Sequence, residues 1–175
     1  RNGNWCGGIP TDTSDVTIPS GTPNNPVIDE ITAKARNIAI AAGAVLYLDG
    51  KTLLIYGNVT CNANINSVNG NIELRGSTPQ TIRGSMFAAR RIQNLKLSNS
   101  AGVTLAGTND TLRITGTLDF GASGVALQTN GNLTIASDIN GTGRVGDMTQ
   151  NGVLTGNKIL GNVTVERYVP NHSKA

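Results

Sequence analysis

Five times the chain repeats one short frame: asparagine, an aliphatic residue, any residue, then a second aliphatic. It reads NIAI from Asn37, NIEL from Asn71, NLKL from Asn94, NLTI from Asn132 and NVTV from Asn162, and NVTC from Asn58 closes the same frame with Cys61. Side chains alternate across an extended strand, so the two aliphatics of each frame share a face. A strand this short cannot bury that face alone. Many such strands must stack and share one core, which is the logic of a solenoid. The frames at 37 and 58 lie 21 residues apart and those at 71 and 94 lie 23 apart, the scale of one coil; other intervals differ, so the repeat is degenerate.

The remaining residues agree with that architecture. Alternating strands are expected over residues 15–18, 37–40, 45–48, 53–55, 58–61, 71–74, 94–97, 103–105, 112–114, 118–120, 132–135 and 162–165. Helical periodicity is nearly absent; its best instance, SMFAARRIQ over residues 85–93, predicts about two helical turns. The 175 residues include 22 Gly and 21 Asn, types that accept left-handed corners. Aromatics make up only 3%, as a narrow interior requires, while 38% hydrophobic residues separate the chain from disordered sequences. The fold expected is all-β, a right-handed parallel β-helix with asparagines hydrogen-bonding between coils; a β-sandwich is the alternative.

The opening residues lack the frame. NWCGGIPTDTSDVTIPSGTPNNPVI carries Pro10, Pro19, Pro23 and Pro26, which remove backbone donors and stiffen the chain. Trp5 can cover apolar surface at the end of a core. Residues 1–30 are therefore read as an opening, capping segment that discourages strand addition. Residues 31–170 form the solenoid, and residues 171–175 a tail or linker to a following region. The chain begins at Arg1, with no leader, and is read as a processed chain or a fragment.

No residue set makes a catalytic centre. The acids fall beside turns or at outward strand positions, without the paired carboxylates of a polysaccharide hydrolase. His172 stands alone near the end, which disfavours a His-based triad. GTGRVG from Gly141 matches a phosphate-loop string but precedes no helix. Two cysteines and one histidine make a zinc site improbable, and no EF-hand or calcium-repeat pattern is present. No cofactor is expected. A net charge of +3 is modest, and without a dense basic face interleaved with aromatics nucleic acid is not an expected partner. No apolar run reaches the length of a membrane span. Arg83, Arg90, Arg91 and Lys96 form a small basic group, which could be a ligand rim for an acidic polymer or simply a solvated edge. The outward frame positions read Ala39, Thr60, Glu73, Lys96, Arg113, Thr134 and Thr164, too interrupted by charge for a flat threonine column.

The opening stretch resembles a motif of large secreted surface proteins of Bacteroidota, carried here by Trp5, Gly8, Pro10, Val16, Ile18 and Pro19. GSTPQTIRG from Gly76, IQNLKLSNSAGVTL from Ile92 and GNVTVERYVP from Gly161 resemble the same proteins. The resemblance covers essentially the whole chain. It implies type IX secretion cargo: adhesin-like, extracellular or on the outer cell surface, with surface polysaccharide, another surface protein or neighbouring domains as partners. Export would permit a disulfide between Cys6 and Cys61, pinning the cap to the coils; two separate buried thiols are the alternative. Residues 110–112, DTL, resemble a Bacteroidota O-glycosylation motif with Thr111 as acceptor. The function expected is a non-catalytic stalk or adhesive scaffold. A polysaccharide-degrading or polysaccharide-binding β-helix fragment and a self-assembling filament or layer component are the alternatives.

Overall fold

The computed structural model describes residues 8–150 and 152–170. The chain is all-β and winds as a parallel β-solenoid of about 5 turns. One ladder stacks Val16–Ile18, Ile38–Ile40 and Val59–Cys61, with Val16, Ile38 and Val59 in register. A second stacks Gln80–Ile82, Val103–Leu105, Ala126–Gln128 and Lys158–Leu160. The largest runs through Thr32–Ala35, Thr52–Ile55, Asn64–Leu74 and Phe87–Leu97. It then divides. Leu112–Ile114, Leu133–Ile135 and Val163–Val165 extend one branch, and Thr117–Phe120 with Arg144–Val145 the other.

Ile72, Leu95 and Leu118 show how the core forms. They occupy one register position in successive coils, and each is buried. Their neighbours two residues on, Leu74 and Leu97, do the same. Alternation aims both sets inward, and each coil covers the apolar face of the last. Phe87 is the one aromatic ring fully inside among the described residues.

The asparagines stand at corners. Asn94 Nδ2 donates to Asn71 Oδ1 at 2.7 Å, Asn71 Nδ2 donates to Thr52 Oγ1 at 3.3 Å, and Thr117 N donates to Asn94 Oδ1 at 2.8 Å. A second ladder runs from Asn58 N to Asn37 Oδ1 and from Asn37 Nδ2 to Asp15 Oδ1, both at 2.7 Å. These bonds satisfy backbone donors where strands end. The uneven spacing of the frames has a geometric cause. Asn37 stacks with Asn58, Asn71 with Asn94, and Asn132 with Asn162, but the three pairs sit at different corners. The interval from 58 to 71 is thus part of one coil rather than a repeat.

The helix expected over residues 85–93 is not formed. Gly84–Met86 make a single 3-10 turn, and Phe87–Leu97 is a strand. Its two-turn apolar pattern is the inward alternation of Phe87, Ile92 and Leu95, interrupted by a bulge in which Ala89 and Arg90 take φ of 52° and 55°. The bulge places Phe87 against Ile65 and Ile92 against Ser67, turning the corner with extra residues. The ladder also reaches back to Val16–Ile18, so the opening stretch supplies the first rung.

The two ends of the stack differ. In the first coil Val16, Ile18, Ile28 and Ala35 are buried. In the last, Val165 is 71% exposed although its register partner Ile135 is 3% exposed.

Candidate functional site

The outer surface consists of side-chain columns, one residue per coil, and four ion pairs tie charges of different coils together. Arg36 clasps Asp15 through Nε at 2.7 Å and Nη2 at 2.6 Å. The Arg36 hydrogen bonds, joined by Asn37, hold the Asp15 carboxyl at about 2. Arg113 reaches over one coil to Glu166, donating from Nη1 at 2.7 Å and Nη2 at 2.6 Å. Ser137 N also donates to Glu166, and these contacts, Arg113 first, lower the Glu166 pKa. Arg113 is in register with Thr134 and then Thr164, and Thr134 beneath this bridge is buried although the frame places it outward.

The basic group of Arg83, Arg90, Arg91 and Lys96 is dispersed. Arg83 is exposed. Arg90 donates to the Asn109 carbonyl at 2.9 Å and lies 3.8 Å from Asp110, which also binds Ser85. Arg91 lies 3.6 Å from Asp138. Lys96 occupies a column between Glu73 and Asp119. Arg90 and Arg91 thus cross-link coils, while Arg83 and Lys96 stand exposed.

Carboxylates and arginines do converge here from separate coils: Arg91, Arg113, Asp138 and Glu166. Proton donation near neutral pH needs a raised carboxyl pKa. Glu166 is shifted the other way, and its two oxygens are occupied by the Arg113 fork.

The remaining candidates are placed as follows. Cys61 is half-buried, its thiol donating to the Met86 carbonyl at 3.6 Å, and burial pushes its pKa up. Cys6 and Trp5 lie outside the described residues, as does His172. Thr111 is half-buried, and its carbonyl packs against Gly84. Of the capping motif, Gly8 takes φ of 86°, Pro10 is half-buried, Val16 and Ile18 are buried, and Pro19 is exposed. Among the described residues no three His, Cys, Asp or Glu side chains are grouped to hold a metal, and no helix is long and apolar enough to cross a membrane.

The tyrosines separate by environment. Tyr56 is engaged by Arg75, whose Nη1 donates to its hydroxyl at 3.3 Å and whose guanidinium lies 5.9 Å from the ring centre. Tyr168 is partly exposed near the open end. Tyr47 lines a concave cleft of about 280 Å³ with Val27, Asp49, Asn66 and Asn69. The lining residues of this cleft come from three coils and are brought together by register.

Comparison with family models, with curated proteins and with solved structures finds no match to this chain.

The Asp15 geometry makes an acid-stability prediction. A depressed pKa contributes stability that is complete above the ordinary aspartate value and is lost as pH falls through the folded value. Denaturant midpoints should hold from neutral pH to about pH 4 and then fall toward about pH 2. Asp15→Asn should flatten that fall. An unchanged acid profile in the variant would show that the Arg36 clasp adds nothing.

Proposed function

We propose that the chain is a non-catalytic structural and adhesive module of a large secreted bacterial cell-surface protein, placed outside the cell or on its outer surface. The observation that supports this reading best is the continuous stack, whose corners are bonded from coil to coil and which four ion pairs clasp from outside. Such a stack is stiff because bending it must open backbone ladders and side-chain clasps together. About five coils at the strand spacing give a rise of roughly 24 Å, so one module spaces or presents a surface over a short distance. The resemblance of the Trp5 to Pro19 motif and of residues 161–170 to Bacteroidota type IX cargo adds the cellular address. Surface polysaccharide, other surface proteins and neighbouring domains are the proposed partners; nucleic acid, membrane insertion and a cofactor are not part of the proposal. Brief protease treatment of intact producing cells, followed by peptide mass spectrometry, tests the placement. Peptides of this module should be released without lysis. Their appearance only after lysis would contradict a surface location.

A second reading, self-assembly, is favoured by the uncovered far end. Val163 and Val165 stack on buried Leu133 and Ile135, and among the described residues no further strand pairs with Val163–Val165. Because the first coil's inward residues are covered, the two ends are unlike, and pairing through the far end closes a two-fold dimer rather than a filament. Sedimentation over a wide concentration range should show reversible dimer formation under this reading; monomer throughout would remove it.

A further inference from the structure

We infer that the cleft around Tyr47 is a binding site for one unit of a neutral, hydroxyl-rich saccharide chain. This inference rests on the adhesive reading above and names its ligand class. The cleft is built at a corner where successive coils are offset. Val27 bridges Tyr47 in parallel, and Tyr47 is in register with Asn66, so one outward column presents Val27, Tyr47 and Asn66 in order. Val27 is 54% exposed and Tyr47 36%, an apolar wall made by a side chain and a ring.

The polar wall comes from two neighbouring turns. In the first, Lys51 N donates to the Leu48 carbonyl at 2.9 Å, with Asp49 at φ 46° and Gly50 at φ 79°. Both central residues are left-handed, the requirement of a type I′ turn, and aspartate is among the few side-chain residues that tolerate it. The turn therefore fixes where the Asp49 carboxylate stands. Asn69 belongs to the corresponding corner of the next coil, and a Cβ on Gly50 would lie 3.9 Å from its carbonyl oxygen. Gly70 completes that corner, since a Cβ there would fall 2.5 Å from Leu48 Cβ.

What points to a ligand is the unspent bonding capacity. Asp15, Glu73, Asp110, Asp138 and Glu166 are bonded to side chains of other coils, whereas among the described residues Asp12, Glu30 and Asp49 are not, and of these three Asp49 is the one that lines the cleft. Among the described residues Asp49 and the Asn69 side chain have no hydrogen-bond or ion-pair partner, nor does the Tyr47 hydroxyl. Asn66 Oδ1 accepts only a long 3.5 Å bond from Val68 N, and its Nδ2 is unengaged. The cleft thus offers an acceptor-only carboxylate, two amides that both donate and accept, and a phenol beside an exposed ring. Vicinal hydroxyls with an adjacent C–H face match that set: hydroxyls donate to Asp49, exchange bonds with the amides, and the apolar face lies on Tyr47. The volume, about 280 Å³, falls just below the range of sites for whole small molecules, so the cleft takes one ring of a chain that leaves along the surface. The single ionised lining group is negative and no cation lines the cleft, so uronates and sulfated sugars are disfavoured by like charge.

The test titrates the full chain with neutral gluco-, manno- and galacto-oligosaccharides, and with oligogalacturonate as the charged counterpart, reading backbone amide shifts by NMR. At least one neutral series should saturate with shifts confined to Val27, Tyr47, Asp49, Asn66, Asn69 and their neighbours. Tyr47→Ala should weaken it about tenfold or more, Asp49→Asn several-fold, and Tyr47→Phe only slightly, with the remaining spectrum unchanged. No saturable shift in the cleft, equal binding of oligogalacturonate, or unchanged affinity in Tyr47→Ala would each overturn the site. Absence of binding would leave the structural module standing. Shortened or unsaturated oligosaccharides in the same tubes would instead overturn the non-catalytic reading.

Discussion

Replacing Gly84 by alanine is expected to lower the thermal midpoint by about 10 °C, corresponding to about 3 kcal/mol for a chain of this size. Gly84 is buried in the 3-10 turn that leads into Phe87–Leu97, and its N–H donates to the Asp110 carbonyl of the next coil at 3.2 Å. A Cβ there would overlap the Thr111 carbonyl oxygen and fall 2.7 Å from the carbonyl carbon. Both atoms are backbone and cannot step aside without parting two coils. The same opening would strain the Asp110 bonds to Ser85. Gly121→Ala is the matched control. Its Cβ would meet Ser98 Oγ and Lys96 Cε, the mobile parts of two side chains, so a cost below about 1 kcal/mol is expected. Equal losses in the two variants, measured by calorimetry, would show that glycine content rather than coil spacing matters.

The second large effect concerns a polar clasp inside the stack. Gln80 and Asn99 are 2% and 0% exposed. Gln80 Nε2 donates to the Gly57 carbonyl at 2.7 Å and to the Ile55 carbonyl at 3.1 Å. Its Oε1 accepts from Asn99 Nδ2 at 2.9 Å, which also donates to the Thr78 carbonyl at 2.8 Å. Asn99 Oδ1 accepts from Ala101 N at 2.9 Å. Two amides thereby satisfy the Gly57 and Thr78 carbonyls and the Ala101 N–H across three coils, and add a second bond to the Ile55 carbonyl, which also accepts from Arg75 N at 2.8 Å. Asn99→Ala would strand Gln80 Oε1, the Ala101 N–H and one acceptor site on Thr78, at a cost of about 3 kcal/mol. Gln80→Met keeps the volume but strands the Gly57 carbonyl and one Asn99 N–H, with a similar loss. The double variant should cost about 1–2 kcal/mol less than the sum, because each single change already breaks the shared bond. Strict additivity in denaturant unfolding would contradict the clasp.

These two sites also mark what the sequence could and could not convey. Asn71, Asn94 and their flanking aliphatics announced stacked strands, because alternation and corner chemistry are local. Most expected strands formed within a residue or two. Gln80–Ile82 was not read as a strand: it follows Pro79, and a buried glutamine breaks the apolar pattern that identifies an inward face. Thr32–Ala35 was missed because Ala33 and Ala35 are small and the intervening Lys34 points to solvent. The mistaken helix at residues 85–93 has the opposite cause, since a bulge shifts the inward phase between Phe87 and Ile92 and imitates a helical period. The Tyr47 cleft was not legible as a site: the sequence showed only the strand over residues 45–48. Asp49, Asn66 and Asn69 join it through a register that no single stretch encodes.

The most direct test of the non-catalytic scaffold is product analysis after prolonged incubation of the intact chain with neutral and uronic polysaccharides. Chain-length profiling and absorbance for unsaturated ends would be read from the same samples, at a protein concentration high enough to saturate the Tyr47 cleft. The expected result is polymer recovered at its original length, with neutral polymer retained on the protein. New reducing or unsaturated ends, increasing with protein concentration and abolished by Arg113→Met or Glu166→Gln, would contradict it and make the converging arginines and carboxylates an active centre.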